Sequence, residues 1–376
     1  MNNEEDEPRR EILEGEEYCF GGTVVRVEVP PSLAGYVDGI MYQWKGVEPG
    51  AGSVNSVSIR AAEHDSPGFN PKAQTVNVDE GGRVYGLLRH RPERAFVASP
   101  GRYVVVSWGK GGEWAHACVS AMPEFLVAGF LRRHALKELE EVYNGNLVVC
   151  HAGCVVDQKG KGIVFSSPDT GSGARKYGKT TSVIACARSA RYGFYANDEV
   201  VVGERNDQVG LHPLPHDIPV RERSFNDFFE GVNEPKVEAR ETTDRSSGER
   251  VLLITPASLE KVGFSVIPAK REVRPSHWFF VNLNPEEKVN TVDKLEEDES
   301  RRLLEQSVFE AYMQRMSSPL PWGEIPVQSV SINRRKISDN AMEMYESMRD
   351  SGVTFWYLRG GMKLDNIREA VDSVVE

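Results

Sequence analysis

Residues 173 to 181 read Gly-Ala-Arg-Lys-Tyr-Gly-Lys-Thr-Thr and satisfy the phosphate-binding pattern G-x-x-x-x-G-K-[ST]. The chemistry such a spacing can do is specific. Glycines let consecutive backbone N–H groups turn inward around oxygens, and the N-terminus of a following helix adds partial positive charge. Lys179 is then expected to reach the β- and γ-phosphates of ATP, with the Thr180 hydroxyl on Mg²⁺. Gly173, Ala174, Arg175, Lys176, Tyr177, Gly178, Lys179, Thr180 and Thr181 are accordingly the candidate nucleotide-binding residues. The competing explanation is a chance match in a Gly-rich turn.

The flanking text argues against chance. The apolar run Ile163 to Ser167 predicts a strand before the loop, and Thr180 to Ala190 carries Val183, Ile184 and Ala187 at helical spacing after it. Upstream, Leu147 to Cys150 and Cys154 to Asp157 read as strands. The short turn Lys159-Gly160-Lys161-Gly162 then makes the last two segments before the loop antiparallel. Downstream, Phe194-Tyr195-Ala196 runs into Asn197-Asp198-Glu199 and then Val200-Val201-Val202, which places charge at a strand end where Mg²⁺ would meet it. Val251 to Ile254 and Trp278 to Val281 read as buried strands, and residues 226 to 250 as a polar, exposed excursion. A helix reaching about Met316, a strand at Thr354 to Leu358 and a final helix from Leu364 to Val375, with Ile367, Val371 and Val374 inward, close the chain.

The first third differs in texture. An acidic tail, 1–17, is expected to be disordered. Thr23 to Val29, Ser56 to Arg60, Arg83 to Leu88 and Arg102 to Trp108 then read as strands, giving an N-terminal β-rich domain, 18–143, that ends in a helix from Pro123 to about Tyr143. Asn144-Gly145-Asn146 breaks that helix and marks the start of the second domain, 144–376. The fold class expected is therefore α/β with a mixed sheet.

Composition narrows the partners. The 376 residues carry a net charge of −11, which disfavours nucleic acid and anionic membrane as main partners. No apolar run approaches a membrane span, and Met1-Asn2-Asn3-Glu4-Glu5-Asp6-Glu7 is unlike a signal peptide. The five cysteines form no C-x-x-C pair and read as reduced thiols in a cytoplasmic protein. Cys150 and Cys154 flank His151, but a fourth zinc ligand at sensible spacing is missing.

In this order the pieces resemble the HPr kinase/phosphorylase superfamily, phosphate-loop kinases that share a core with PEP carboxykinase. The resemblance runs from Val148 to the C-terminus. Val149-Cys150-His151-Ala152-Gly153-Cys154-Val155-Val156 is similar to the family's His-containing strand, and Tyr195-Ala196-Asn197-Asp198-Glu199-Val200 to its Ala-Asp-Asp strand end. Thr354 to Arg359 with the following helix, and the opening Phe20-Gly21-Gly22-Thr23-Val24-Val25, are similar to the HPr-kinase-related branch. The resemblance implies an HPr kinase/PEP carboxykinase-like core and three catalytic residues, His151, Asp198 and Lys179. It also implies a metal set of Thr180, Asp198 and Glu199.

Asn197 replaces the first of the family's paired aspartates, which leaves Asp198 or Glu199 as general base. Arg175-Lys176 stands in place of Ser-Gly, and no Arg-Gly motif of true HPr kinases is found. The implied activity is thus phosphoryl transfer to a hydroxyl other than that of HPr, on a small metabolite or on Ser/Thr of a peptide. A nucleotide-dependent switch without acceptor phosphorylation is the alternative. PEP carboxykinase activity ranks last, since its oxaloacetate-binding arginines and second metal site are not found. Arg221 and Arg223, after a Pro-bracketed strand, are either phosphate or acidic-substrate contacts or ordinary exposed arginines. The acceptor, ATP against GTP, and self-association into a homo-oligomer stay open.

Overall fold

The computed structural model describes residues 14–20, 23–29, 31–46, 55–62, 75–80, 83–89, 94–99, 102–107, 114–118, 123–167, 178–230, 239–243, 249–269, 273–316 and 334–375. By compactness the chain forms two units. One comprises Met1–Val37, Glu48–Val127 and Pro319–Pro321, the other Asp38–Val47, Ala128–Ser318 and Trp322–Glu376.

The first unit is β-rich. In chain order it holds β1 (Glu14–Phe20), β2 (Thr23–Val29), most of α1 (Pro31–Ile40), β3 (Asn55–Ala62), β4 (Thr75–Glu80), β5 (Arg83–Arg89), β6 (Arg94–Ser99), β7 (Arg102–Ser107) and β8 (Trp114–Cys118). Strands β1-β2-β3-β8 form one sheet and β4-β5-β6-β7 an antiparallel meander. The four strands read from the sequence here lie in β2, β3, β5 and β7, except Trp108, which lies outside the described residues. Residues 1–13 of the expected acidic tail lie outside the described residues, and Glu14 to Glu17 already belong to β1.

Apart from Asp38–Val47, the second unit starts within α2 (Pro123–Val142), at Ala128, whereas the break in helical pattern pointed to Asn144. It continues with β9 (Leu147–Cys150), β10 (Ala152–Asp157), β11 (Lys161–Ser166), α3 (Lys179–Ala187), β12 (Tyr192–Ala196), β13 (Val200–Arg205) and β14 (Gln208–Pro213). Next come β15 (Ile218–Arg221), α4 (Glu222–Phe229), β16 (Ala239–Thr243), β17 (Arg250–Ile254), α5 (Pro256–Lys261) and β18 (Arg274–Leu283). The chain ends with β19 (Thr291–Lys294), α6 (Glu297–Met316), α7 (Arg334–Asp350), β20 (Thr354–Gly360) and α8 (Leu364–Asp372).

The central sheet runs β12-β10-β11-β18-β20-β19. β10 pairs antiparallel with β11 and β12, whereas β11, β18 and β20 run parallel. The tight β10–β11 hairpin expected from the Lys-Gly turn is present. Side-chain alternation sorts each strand between two cores. Val155, Ile163, Phe165, Phe279 and Val281 face the core that includes α3 and α8. Cys154, Val156, Val164, Trp278 and Phe280 face the core that includes α6 and α7. Because both faces are covered, these strands read as continuous apolar runs.

One expectation is corrected. Residues 226 to 250 are not simply an exposed excursion: α4 ends there, and β16 pairs antiparallel with β17. The charge-rich text hides Phe225, Phe228 and Phe229 at i, i+3 and i+4, with Phe228 buried and the other two packed on the core.

Candidate functional site around Lys179 and Asp198

Every residue of the site lies in the second unit. α3 starts at Lys179 with Gly178 as its N-cap, at φ 119°. A Cβ at Gly178 would lie 2.7 Å from both Leu283 Cγ and Val281 Cγ1, so β18 and the left-handed backbone each demand glycine there. Ser182 N–H donates to Gly178 O at 2.7 Å, which closes the first helical turn. Lys179 and Thr181 are buried, and Thr180 is half-buried. Gly173, Ala174, Arg175, Lys176 and Tyr177 lie outside the described residues.

Three separate elements bring partners to Lys179. Its Nζ donates to Asp198 Oδ1 at 2.6 Å and to the Asp198 carbonyl at 3.3 Å. It also stands 3.3 Å from Nδ1 and 3.2 Å from Nε2 of His151. His151 sits between β9 and β10. Its backbone is clamped from α6: its N–H donates to Ser307 O at 3.1 Å, and its carbonyl accepts from Ser307 Oγ at 3.3 Å.

Asp198 follows β12 in a three-residue turn closed by Glu199 N–H donating to Asn197 O at 2.9 Å, with Asp198 itself at φ 71°. Such a turn is strained, and Asp is among the residues that tolerate it. It aims the carboxylate back at α3. The structure brings His151, Lys179 and Asp198 into one cluster.

Sequence reasoning missed His216. Its Nδ1 lies 2.6 Å from Asp217 O and, facing a carbonyl, must be the donor there. Its Nε2 faces Asp198 Oδ2 at 3.5 Å. Asp198 is therefore approached by Lys179 and His151 at one oxygen and by His216 at the other. His216 lies five residues before Arg221 in the sequence, and only the tertiary fold shows that it returns to the end of β12. Glu199 is buried with Arg132 Nη1 3.7 Å from its carboxylate. Asn197, only 4% exposed, has no hydrogen-bond partner for either side-chain polar atom among the described residues.

Burial disfavours the Asp198 carboxylate, yet the Lys179 charge, followed by His151 and His216, outweighs it and holds the group well below the usual carboxylate range. Burial lowers Lys179, and Asp198 works against that. His216 is lowered by burial first and by the nearby Arg132 second.

The site opens on a cavity of about 110 Å³. Its lining includes His151, Ser167, Lys179, Thr180 and Thr181 together with Arg221, Arg223, Ser224 and Phe228. The donors suit Mg²⁺ in kind, since that ion commonly takes one or two carboxylates besides substrate phosphates and water. Thr180 and Asp198 supply a hydroxyl and an ionised carboxylate, while Glu199 has Arg132 beside it. Among the described residues, no cluster of three or more His, Cys, Asp or Glu is arranged to hold a metal by itself, and no helix is long and apolar enough to cross a membrane.

No protein-family model and no curated protein matches the chain. The functional reading rests on the residues themselves.

Proposed function

We propose that the chain is an ATP-dependent kinase with an HPr kinase-like phosphate-loop core, which transfers the γ-phosphoryl group to a hydroxyl of a small metabolite or of a peptide Ser/Thr. The observation that carries the reading is a buried lysine at the start of a glycine-capped helix, ion-paired to a carboxylate and opening on a cavity with His151. A buried ammonium is costly unless something anionic meets it. Asp198 does so in the free protein, and nucleotide phosphates would take its place.

Phosphoryl transfer asks mainly for in-line placement and neutralised charge. Lys179 and the α3 N-terminus would carry the β- and γ-phosphates. Thr180 and Asp198 would hold Mg²⁺, which supplies charge neutralisation on the phosphate oxygens. The acceptor hydroxyl oxygen forms its bond to the γ-phosphorus as the bond to the β–γ bridging oxygen breaks. ADP leaves, and the hydroxyl proton passes to Asp198. In the free protein Asp198 is a poor base, because Lys179 holds it ionised. Phosphate on Lys179 would lift that restraint only where Mg²⁺ is not on the same carboxylate, so Asp198 would serve as metal ligand or as proton acceptor, one role at a time. His151, against the ammonium, would stabilise charge on the moving phosphoryl group.

The switch reading keeps one observation of its own: Asn197 stands, buried and uncharged, beside Asp198. Incubation with ATP, Mg²⁺ and a cell extract, followed by mass spectrometry, decides between them. A new phosphorylated product supports the kinase. Nucleotide binding with no product and no ADP release supports the switch.

A further inference from the structure

The cavity that Lys179 lines is lined also by two arginines on one short stretch of chain. Arg221 ends β15 and caps α4, and Arg223 is the second residue of that helix. Both converge on Glu249: Arg221 Nη1 pairs with Oε2, and Arg223 Nε lies 3.2 Å from Oε1. A single carboxylate is thus gripped by two guanidinium groups, both from residues that line the cavity. That geometry suits a carboxylate or phosphate group. α4 opens on the same cavity through Arg223 and Ser224, and no side chain caps it. Its first N–H groups add to the pull on an anion. Glu222, the acidic residue of that turn, is drawn off by Arg250 Nη1 at 2.5 Å. Pro219, Phe228 and Met362 supply an apolar surface beside the arginines, sized for a few carbons.

We propose that Arg221 and Arg223 form an acceptor subsite for the carboxylate or phosphate of a small hydroxyl-bearing anion, with Glu249 as the internal group that this anion displaces. The assignment rests on the kinase reading for the word acceptor, and on the arginine geometry alone for the anion. The cavity of about 110 Å³ is lined by Lys179 and by both arginines. An acceptor anchored there by its anionic group would share the cavity with Lys179 and Thr180.

Calorimetric titration of inorganic phosphate into wild type, Lys179→Ala, the Arg221→Gln/Arg223→Gln double variant and Glu249→Gln tests the proposal. Lys179→Ala should keep phosphate binding at the arginines. The double variant should weaken that component by about tenfold or more, as expected when charge-assisted bonds from two guanidinium groups are lost. Glu249→Gln should tighten it by about fivefold, because a competing ligand is removed. Repeating the titration with glycerate, glycerol 1-phosphate and neutral glycerol separates carboxylate from phosphate sources, and glycerol should not register.

The proposal is overturned if the double variant, with an unchanged thermal melt, binds phosphate as wild type does, or if Glu249→Gln binds no tighter. It is equally overturned if Lys179→Ala and the double variant each abolish all phosphate binding, since one shared site would then make the arginines part of the nucleotide pocket. Failure of the loop reading looks different: Lys179→Ala would bind ATP like wild type while the arginine component persisted. Should the double variant fail to fold, Glu249→Gln decides alone.

Discussion

Asp198 and Lys179 restrain each other in the free protein, and that tension sets what single substitutions should do. Asp198→Asn leaves the buried ammonium without its carboxylate, so stability should drop by about 3–5 kcal/mol, the scale of a buried ion pair broken on one side. Nucleotide affinity should hold, since a competitor for Lys179 has gone, whereas turnover should fall steeply because Mg²⁺ or the acceptor proton loses its carboxylate. Denaturation curves and steady-state kinetics on one preparation check both halves. Glu199→Gln should cost turnover less, given that Arg132 lies beside it. His151 separates structure from chemistry. Its backbone clamp to Ser307 does not involve the ring, so His151→Gln should fold normally and lower phosphoryl transfer by about 10²-fold or more. A destabilised but fully active His151→Gln protein would make the imidazole a packing group and remove it from the site.

At the scale of elements, the strand–loop–helix unit depends on Gly178. Alanine there meets both the φ of 119° and the Leu283 and Val281 side chains at 2.7 Å. Gly178→Ala should cost at least about 1–3 kcal/mol from backbone strain and weaken nucleotide binding by shifting the first turn of α3. A variant as stable as wild type would mean that Gly178 approaches β18 less closely than described. The α3 segment and the β10–β11 hairpin were legible in the sequence because their signals are local: a glycine-lysine motif, helical spacing at Val183, Ile184 and Ala187, and a two-glycine turn. α7 was not anticipated. Its apolar stripe, Ile337, Ala341, Met344, Tyr345 and Met348, is narrow and lies in densely charged text, yet all but Ile337 of these are buried under the sheet. α4 and β16 were lost for the same reason, charge outweighing pattern. The contacts of His216 with Asp198 and of Arg132 with Glu199 join residues 18 and 67 positions apart, and no local pattern encodes them.

For the whole molecule, the buried polar cluster ties stability to pH. His216 has a folded pKa below its ordinary value, so the unfolded chain takes the proton more readily. Its contribution is therefore present above about pH 6.5 and lost as pH falls toward the folded pKa. Asp198, Glu199 and Asp217 pull the other way, and burial with Arg132 prevails. Urea midpoints should decline between about pH 7 and pH 5, and His216→Gln should flatten that slope. His277, also lowered by burial, contributes in the same direction to both proteins and leaves the difference to His216. An identical slope in the variant would show that His216 charges freely in the folded state. The account as a whole stands on one claim, that Lys179 waits in its ion pair for nucleotide phosphate. Thermal unfolding with and without ATP and Mg²⁺ tests it most directly. Wild type should gain about 2.7 kcal/mol at a hundredfold excess over Kd, and Lys179→Ala should lose most of that gain. Equal gains in the two proteins, or none in either, would contradict it.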